Sequence, residues 1–161
     1  MDVFLTIISG VSVYVAGQLI SRLVIEPVHE MKKTIGKISH SLIEYGQVIA
    51  NPGLLGEERE RETSRHLRAL SSQLQASLYL VPKYDCSSTL FGLPPRAKVL
   101  SASTNLIALS HSVYKTNEIN IYEQNSKRKE RICDSFGIFM SEDELWPKDL
   151  QEIGNKNERS I

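Results

Sequence analysis

Residues 3–21 (VFLTIISGVSVYVAGQLIS) form an apolar run of nineteen residues without a charge. Nineteen residues at about 1.5 Å each rise roughly 28 Å, close to the hydrocarbon thickness of about 30 Å. Ten strongly apolar residues (Val3, Phe4, Leu5, Ile7, Ile8, Val11, Val13, Val15, Leu19 and Ile20) favour insertion by roughly 3–6 kcal/mol, partly offset by Thr6, Gln18 and the serines. Arg22 closes the run, where its stem can lie along lipid and its charge can reach the headgroups. After Pro27 the pattern becomes striped. Val28, Met31, Ile35, Ile38, Leu42, Tyr45 and Ile49 follow alternating steps of three and four, with Glu30, Lys32, Lys33, Lys37 and Glu44 on the other faces. That is an amphipathic helix with a heptad-like seam over residues 28–49.

The first run therefore predicts a membrane span and the second a helix that emerges from it. A cleaved signal peptide would start with basic residues and end at a small-x-small site, whereas this chain starts Met1-Asp2 and runs straight into the striped segment. A buried core helix of that length would need more protein around it than the rest of the chain supplies. Arg22, Lys32, Lys33 and Lys37 follow the span and no basic residue precedes it, so the positive-inside rule places the N-terminus outside and the body in the cytoplasm. Extended backward, the seam passes through Ile7, Gly10, Tyr14, Gly17, Ser21 and Val24, with Pro27 expected to interrupt the backbone ladder. Gly10 and Gly17 on that stripe, and Ser12 and Ala16 beside it, are the small residues through which membrane helices pack closely. The 28–49 stripe has two uses open to it: packing on the chain's own later helices, and self-association.

Further on, Asn51-Pro52-Gly53 stops the striped helix. Leu67, Leu70, Leu74, Leu78 and Val81 predict a helix over 55–80, and Pro82 closes it. Residues 84–91 read as a short helix or turn before the break Gly92-Leu93-Pro94-Pro95, with Pro95 as a first helical residue. Val99, Ala102, Leu106, Leu109 and Val113 predict a helix to about residue 115. A last one over 117–135 carries Ile119, Tyr122 and Ile132, with Gly137 as its stop. The chain thus divides into an anchor (1–25), an amphipathic stalk (26–50), a helical domain (51–138) and a polar, flexible tail (139–161) in which Trp146 is a docking candidate. The expected fold is all-α: a transmembrane helix, its amphipathic continuation and a cytosolic body of about four helices.

Composition narrows function less than it narrows fold. Nineteen basic residues balance nineteen acidic ones, which leaves no overall pull toward duplex nucleic acid. Cys86 and Cys133 stand far apart without metal-type spacing and fit reduced thiols. The four histidines, His29, His40, His66 and His111, show no zinc-site spacing, and no glycine loop suited to phosphate is present. Ser39-His40-Ser41 and Ser110-His111-Ser112 suggest a nucleophile and its base, but adjacent helical residues point about 100° apart and cannot pair. Basic residues remain. Arg65 and Arg68 (with Arg59 and Arg61), Arg96 and Lys98, and Lys127, Arg128 and Arg131 (with Lys129) form three groups that would bind an anion or an acidic partner if folding brought two of them together. Interleaved glutamates favour a solvated face instead, and the last group would also suit anionic headgroups.

The segments LRALSSQLQASLYLVPKY, LFGLPPR, ASTNLIALSHSV and RICDSFGI resemble blocks of a group of small bacterial single-pass membrane proteins with an N-terminal anchor and a helical cytosolic region. The resemblance spans residues 3–138. It implies a bacterial inner-membrane setting and carries no activity or cofactor with it. The expected function is a non-enzymatic, membrane-tethered interaction module whose contacts are lipid, a second copy and a protein partner. The alternative is an oligomeric, ligand-gated membrane effector, as in bacterial antiviral defence. There a small anionic, nucleotide-type signal bound by the body would rearrange the Gly10/Gly17 helices.

Overall fold

Helix α1 (Asp2–Ile20), a five-residue π-helical segment (Ser21–Ile25) and α2 (Glu26–Glu44) follow one another without leaving helical geometry in this computed structural model, which describes residues 2–114 and 120–139. The π segment sits directly before Pro27. A proline ring crowds the carbonyl four residues back and offers no N–H, and a wider turn relieves both problems. The Glu26 N–H reaches the Ser21 carbonyl, five residues back. The ladder expected to break at Pro27 is thus rerouted ahead of it, and residues 3–44 run on as one helix.

The stripe predicted over 28–49 does not form a single helix. Tyr45 (φ −94°, ψ 12°) leaves helical geometry, and Gly46, a poor helix former, opens the short α3 (Gly46–Ala50). This jog turns Val48 and Ile49 inward together. Beyond it, the Gly53 N–H donates to the Val113 carbonyl (3.2 Å) and ties the turn to the far end of a later helix.

The body is completed by α4 (Glu57–Leu80), α5 (Tyr84–Phe91), α6 (Arg96–Ser112) and α7 (Ile121–Phe136). Among the described residues there is no strand. Helix α4 lies between α2 and α6, and α6 lies between α4 and α7. The core joins Met31, Ile38 and Leu42 of α2 to Leu67 and Leu74 of α4 and Val99, Ala102, Leu106 and Leu109 of α6. Each fully buried leucine contributes about 1.5–3 kcal/mol. The 28–49 stripe is therefore committed to intramolecular packing.

Two helix ends carry the expected glycine stops. Gly92 and Gly137 adopt left-handed geometry (φ 64° and 65°), and the next residue's N–H returns to Ser88 and Cys133 respectively. Two boundaries differ from expectation. Pro95 (ψ 146°) precedes α6 as its cap instead of opening it, since an extended ψ is what a cap position requires. Helix α7 starts after Asn120, itself left-handed (φ 75°), so Ile121 rather than Tyr122 faces inward. Ile119, Trp146 and the tail from residue 140 lie outside the described residues.

Candidate functional site

The inward face of α4 is polar at its start. Glu60, Thr63 and Ser64 are buried there, ahead of Leu67 and Leu70. Thr63 returns its hydroxyl to the Arg59 carbonyl (2.8 Å), but Oε1 of Glu60 is enclosed with no hydrogen-bond partner among the described residues. One turn further, His66 faces α2: its Nε2 lies 2.9 Å from Ser41 Oγ, and its ring lies 5.3 Å from that of Tyr45. Ser41 Oγ lies within hydrogen-bond reach of the Lys37 carbonyl as well (2.8 Å). Burial first, then the negative charges of Glu44 and Glu62, raise the pKa of the Tyr45 phenol.

On the opposite flank, α4 and α6 approach through small hydroxyl residues. Ser71 and Ser103 share a hydrogen bond of 2.7 Å, and Gln75 donates to Ser103 Oγ at 2.7 Å. Arg68 crosses the same interface near its end. Its Nε donates to Ser110 Oγ (3.4 Å), and its Nη2 lies 3.0 Å from His111 Nε2. Within the two Ser-His-Ser motifs, Ser41 lies against His66 of α4, Ser110 accepts from Arg68 of α4, and His40 faces Glu44 at 3.5 Å on the surface.

An open groove of about 730 Å³ runs along the outer side of α4, lined by Glu57, Glu58, Arg61, Glu62, Arg65 and His66. Arg61 is held by Glu57 at 2.6 Å. Arg65 lines the same groove together with the carboxylates of Glu57, Glu58 and Glu62.

The first two basic groups stand apart along α4. Arg96 lies over the Tyr79 ring (5.9 Å), eleven residues along α4 from Arg68 and so about 16 Å away; Lys98 is exposed nearby on α6. In α7, Lys127 is ion-paired with Glu123, Arg128 donates to Asn125 and Gln124 of its own helix, and Arg131 is exposed. Lys129, part of that run in sequence, is buried beside Gly46. Asn125, fully buried, donates to the Ile49 carbonyl (3.0 Å), satisfying a helix-end acceptor and joining α7 to α3.

Along α1, Gly10 and Gly17 leave open space where a Cβ would stand, and Ser12 and Ala16 are exposed beside them. Cys86 is exposed, Cys133 is buried, and no disulfide joins them. Among the described residues no group of three His, Cys, Asp or Glu side chains could hold a metal ion.

Comparison of the chain with protein-family models, curated proteins and solved structures finds no match.

Proposed function

We propose that the chain is a non-enzymatic, single-pass protein of a bacterial inner membrane, with its N-terminus outside, that presents a helical interaction domain at the inner face. One observation carries this reading. Every described side chain of α1 is exposed, the large apolar ones from 47% for Ile8 to 75% for Val3, while α2 buries Val28, Met31, Ile38 and Leu42 in the body and packs Ile35 half-buried against it. Water is a poor solvent for the first surface and a bilayer supplies a good one. Because the α2 stripe is already used, self-association runs through α1, where Gly10 and Gly17 allow close backbone approach. The bacterial setting follows from the resemblance of the four sequence blocks.

A second reading, the ligand-gated effector, draws on Arg65 at the edge of the α4 groove. Glu57, Glu58 and Glu62 line the same groove and oppose an anion, so the tether is the better-supported reading.

The test combines alkaline extraction with protease digestion of inverted membrane vesicles carrying the full chain. The tether reading expects the chain to resist extraction and its body to be digested from the cytoplasmic side. Extraction into the soluble fraction would overturn it. Gly10→Leu with Gly17→Leu is expected to lower the mass of the detergent-solubilised particle without changing the melting of the body. A nucleotide-induced thermal shift that disappears in Arg65→Ala would favour the effector instead.

A further inference from the structure

The α4–α5–α6 corner stands at the end of the body from which α1 leaves. Ser41 and His66 fix the α2–α4 register. Fourteen residues back along α2 from Ser41 is Pro27, and fourteen residues forward along antiparallel α4 from His66 is Leu80, so the two stand level. Pro27 is five residues past Arg22, or about 7.5 Å. The polar zone of a bilayer leaflet is roughly 5–8 Å deep. A span that ends at Arg22 therefore brings Leu80 to the headgroups. Arg96, stacked over Tyr79, sets the start of α6 at the same level, and Tyr84 closes the corner by donating its hydroxyl to the Pro94 carbonyl at 2.7 Å.

This corner gathers exposed apolar and basic side chains. Tyr79 (76%), Leu80 (63%) and Leu90 (78%) point outward, and α5 makes no extended packing with another helix. Leu23 and Ile25, just past Arg22 on the exit helix, are exposed as well. Around these side chains stand exposed Lys83, Arg96 and Lys98, with Arg22, against Glu26 and Asp85. A hollow of about 450 Å³ opens between Tyr79, Lys83 and Arg96.

The geometry points to a bilayer-docking surface: the α4–α5–α6 corner rests on anionic lipid, with Leu80 and Leu90 entering the interface and Lys83 and Arg96 holding headgroup phosphates. This rests on the reading of α1 as a membrane span, and it adds that the body is held against the bilayer, not swung freely on its stalk. Leucine at the interface and two basic side chains over anionic headgroups both favour the docked state. Docking also turns the α4 groove, at the opposite end of that helix, toward the cytosol.

The test uses the full chain reconstituted into vesicles of mixed phosphatidylglycerol and phosphatidylcholine, with an environment-sensitive fluorophore on Cys86 and a brominated lipid as quencher. The control carries the fluorophore at Glu58→Cys in a Cys86→Ser chain, at the far end of α4. Docking predicts strong quenching at Cys86 and little at position 58. That quenching should be lost when Lys83 and Arg96 are both changed to Glu, and separately in Leu90→Ser, which replaces a side chain too exposed to hold the fold. A chain that enters the vesicles but shows no more quenching at Cys86 than at position 58 overturns docking and leaves the anchor standing. Equal quenching in pure phosphatidylcholine overturns the anionic recognition. A chain that does not enter vesicles overturns both docking and anchor.

Discussion

Helices α1 and α2 are each nineteen residues long and are joined by a π turn into one rod, yet they meet different surroundings. In α1 the apolar residues surround the axis and none of the described residues covers them. In α2 they occupy one stripe, and α4 covers it. The rod changes character within the five residues of the π segment, where Arg22 brings the first charge after the apolar run. What separates the two helices is the angular distribution of apolar side chains more than their length. An all-round pattern suits a solvent that is apolar on every side, and a stripe suits a protein neighbour on one.

The contrast can be broken at either helix. The largest expected effect lies in the body: Leu106→Ala, at a fully buried position, should cost about 2–5 kcal/mol in chemical unfolding. Leu19→Ala, in α1, should leave the same unfolding curve in place. The converse change is Val11→Lys. A lysine at the middle of a span costs about 2.5–3.5 kcal/mol of insertion, so membrane extraction should rise sharply while the body's melting temperature holds. A body that unfolds with Val11→Lys would mean that α1 packs on it.

Smaller effects sharpen the account of how the body closes. Asn125→Ala leaves the Ile49 carbonyl unanswered and should cost about 1–3 kcal/mol, with hydrogen exchange rising first in α3 and the start of α7. Tyr84 gives a pH signature. Burial, then the charge of Asp85, push its phenol from 10.0 up to about 12. Folding favours the neutral form, so its contribution is complete below pH 10 and is lost as pH rises from there toward 12. Tyr84→Phe should remove that part of the alkaline loss, as urea midpoints across the range would show. Gly137→Ala, in left-handed geometry, should cost about 1 kcal/mol.

Leucines were the legible part of this chain. At spacings of three and four, Leu67, Leu70, Leu74, Leu106 and Leu109 announce two inward faces, and all five are buried. The polar part of the core was hidden. Ser77, Ser110 and Ser112 bury their hydroxyls by returning them to carbonyls of their own helix, so serine at a core position leaves no trace in a hydrophobic pattern. Glu60 belongs to a run of alternating Glu and Arg that reads as a solvated face, yet it points inward. The bond between His66 and Ser41 joins residues 25 apart and depends on the α2–α4 register, which no local motif records. Tyr122 was misplaced by a single position because the true start of α7 depends on Asn120 adopting left-handed geometry. The basic groups were visible individually, but the distance between Arg68 and Arg96 along α4 is a tertiary fact.

The most direct test of the difference between the two helices is a spin-label scan of the full chain in lipid vesicles, one label at a time from Val3 to Glu44, reading collision with oxygen and with a water-soluble nickel chelate. The account predicts high oxygen and low nickel accessibility through α1. From Val28 onward it predicts minima in both at Met31, Ile35, Ile38 and Leu42, separated by nickel-accessible positions. A three-to-four periodicity in nickel accessibility that begins within α1 would contradict it, because the first helix would then be a protein-packed surface like the second.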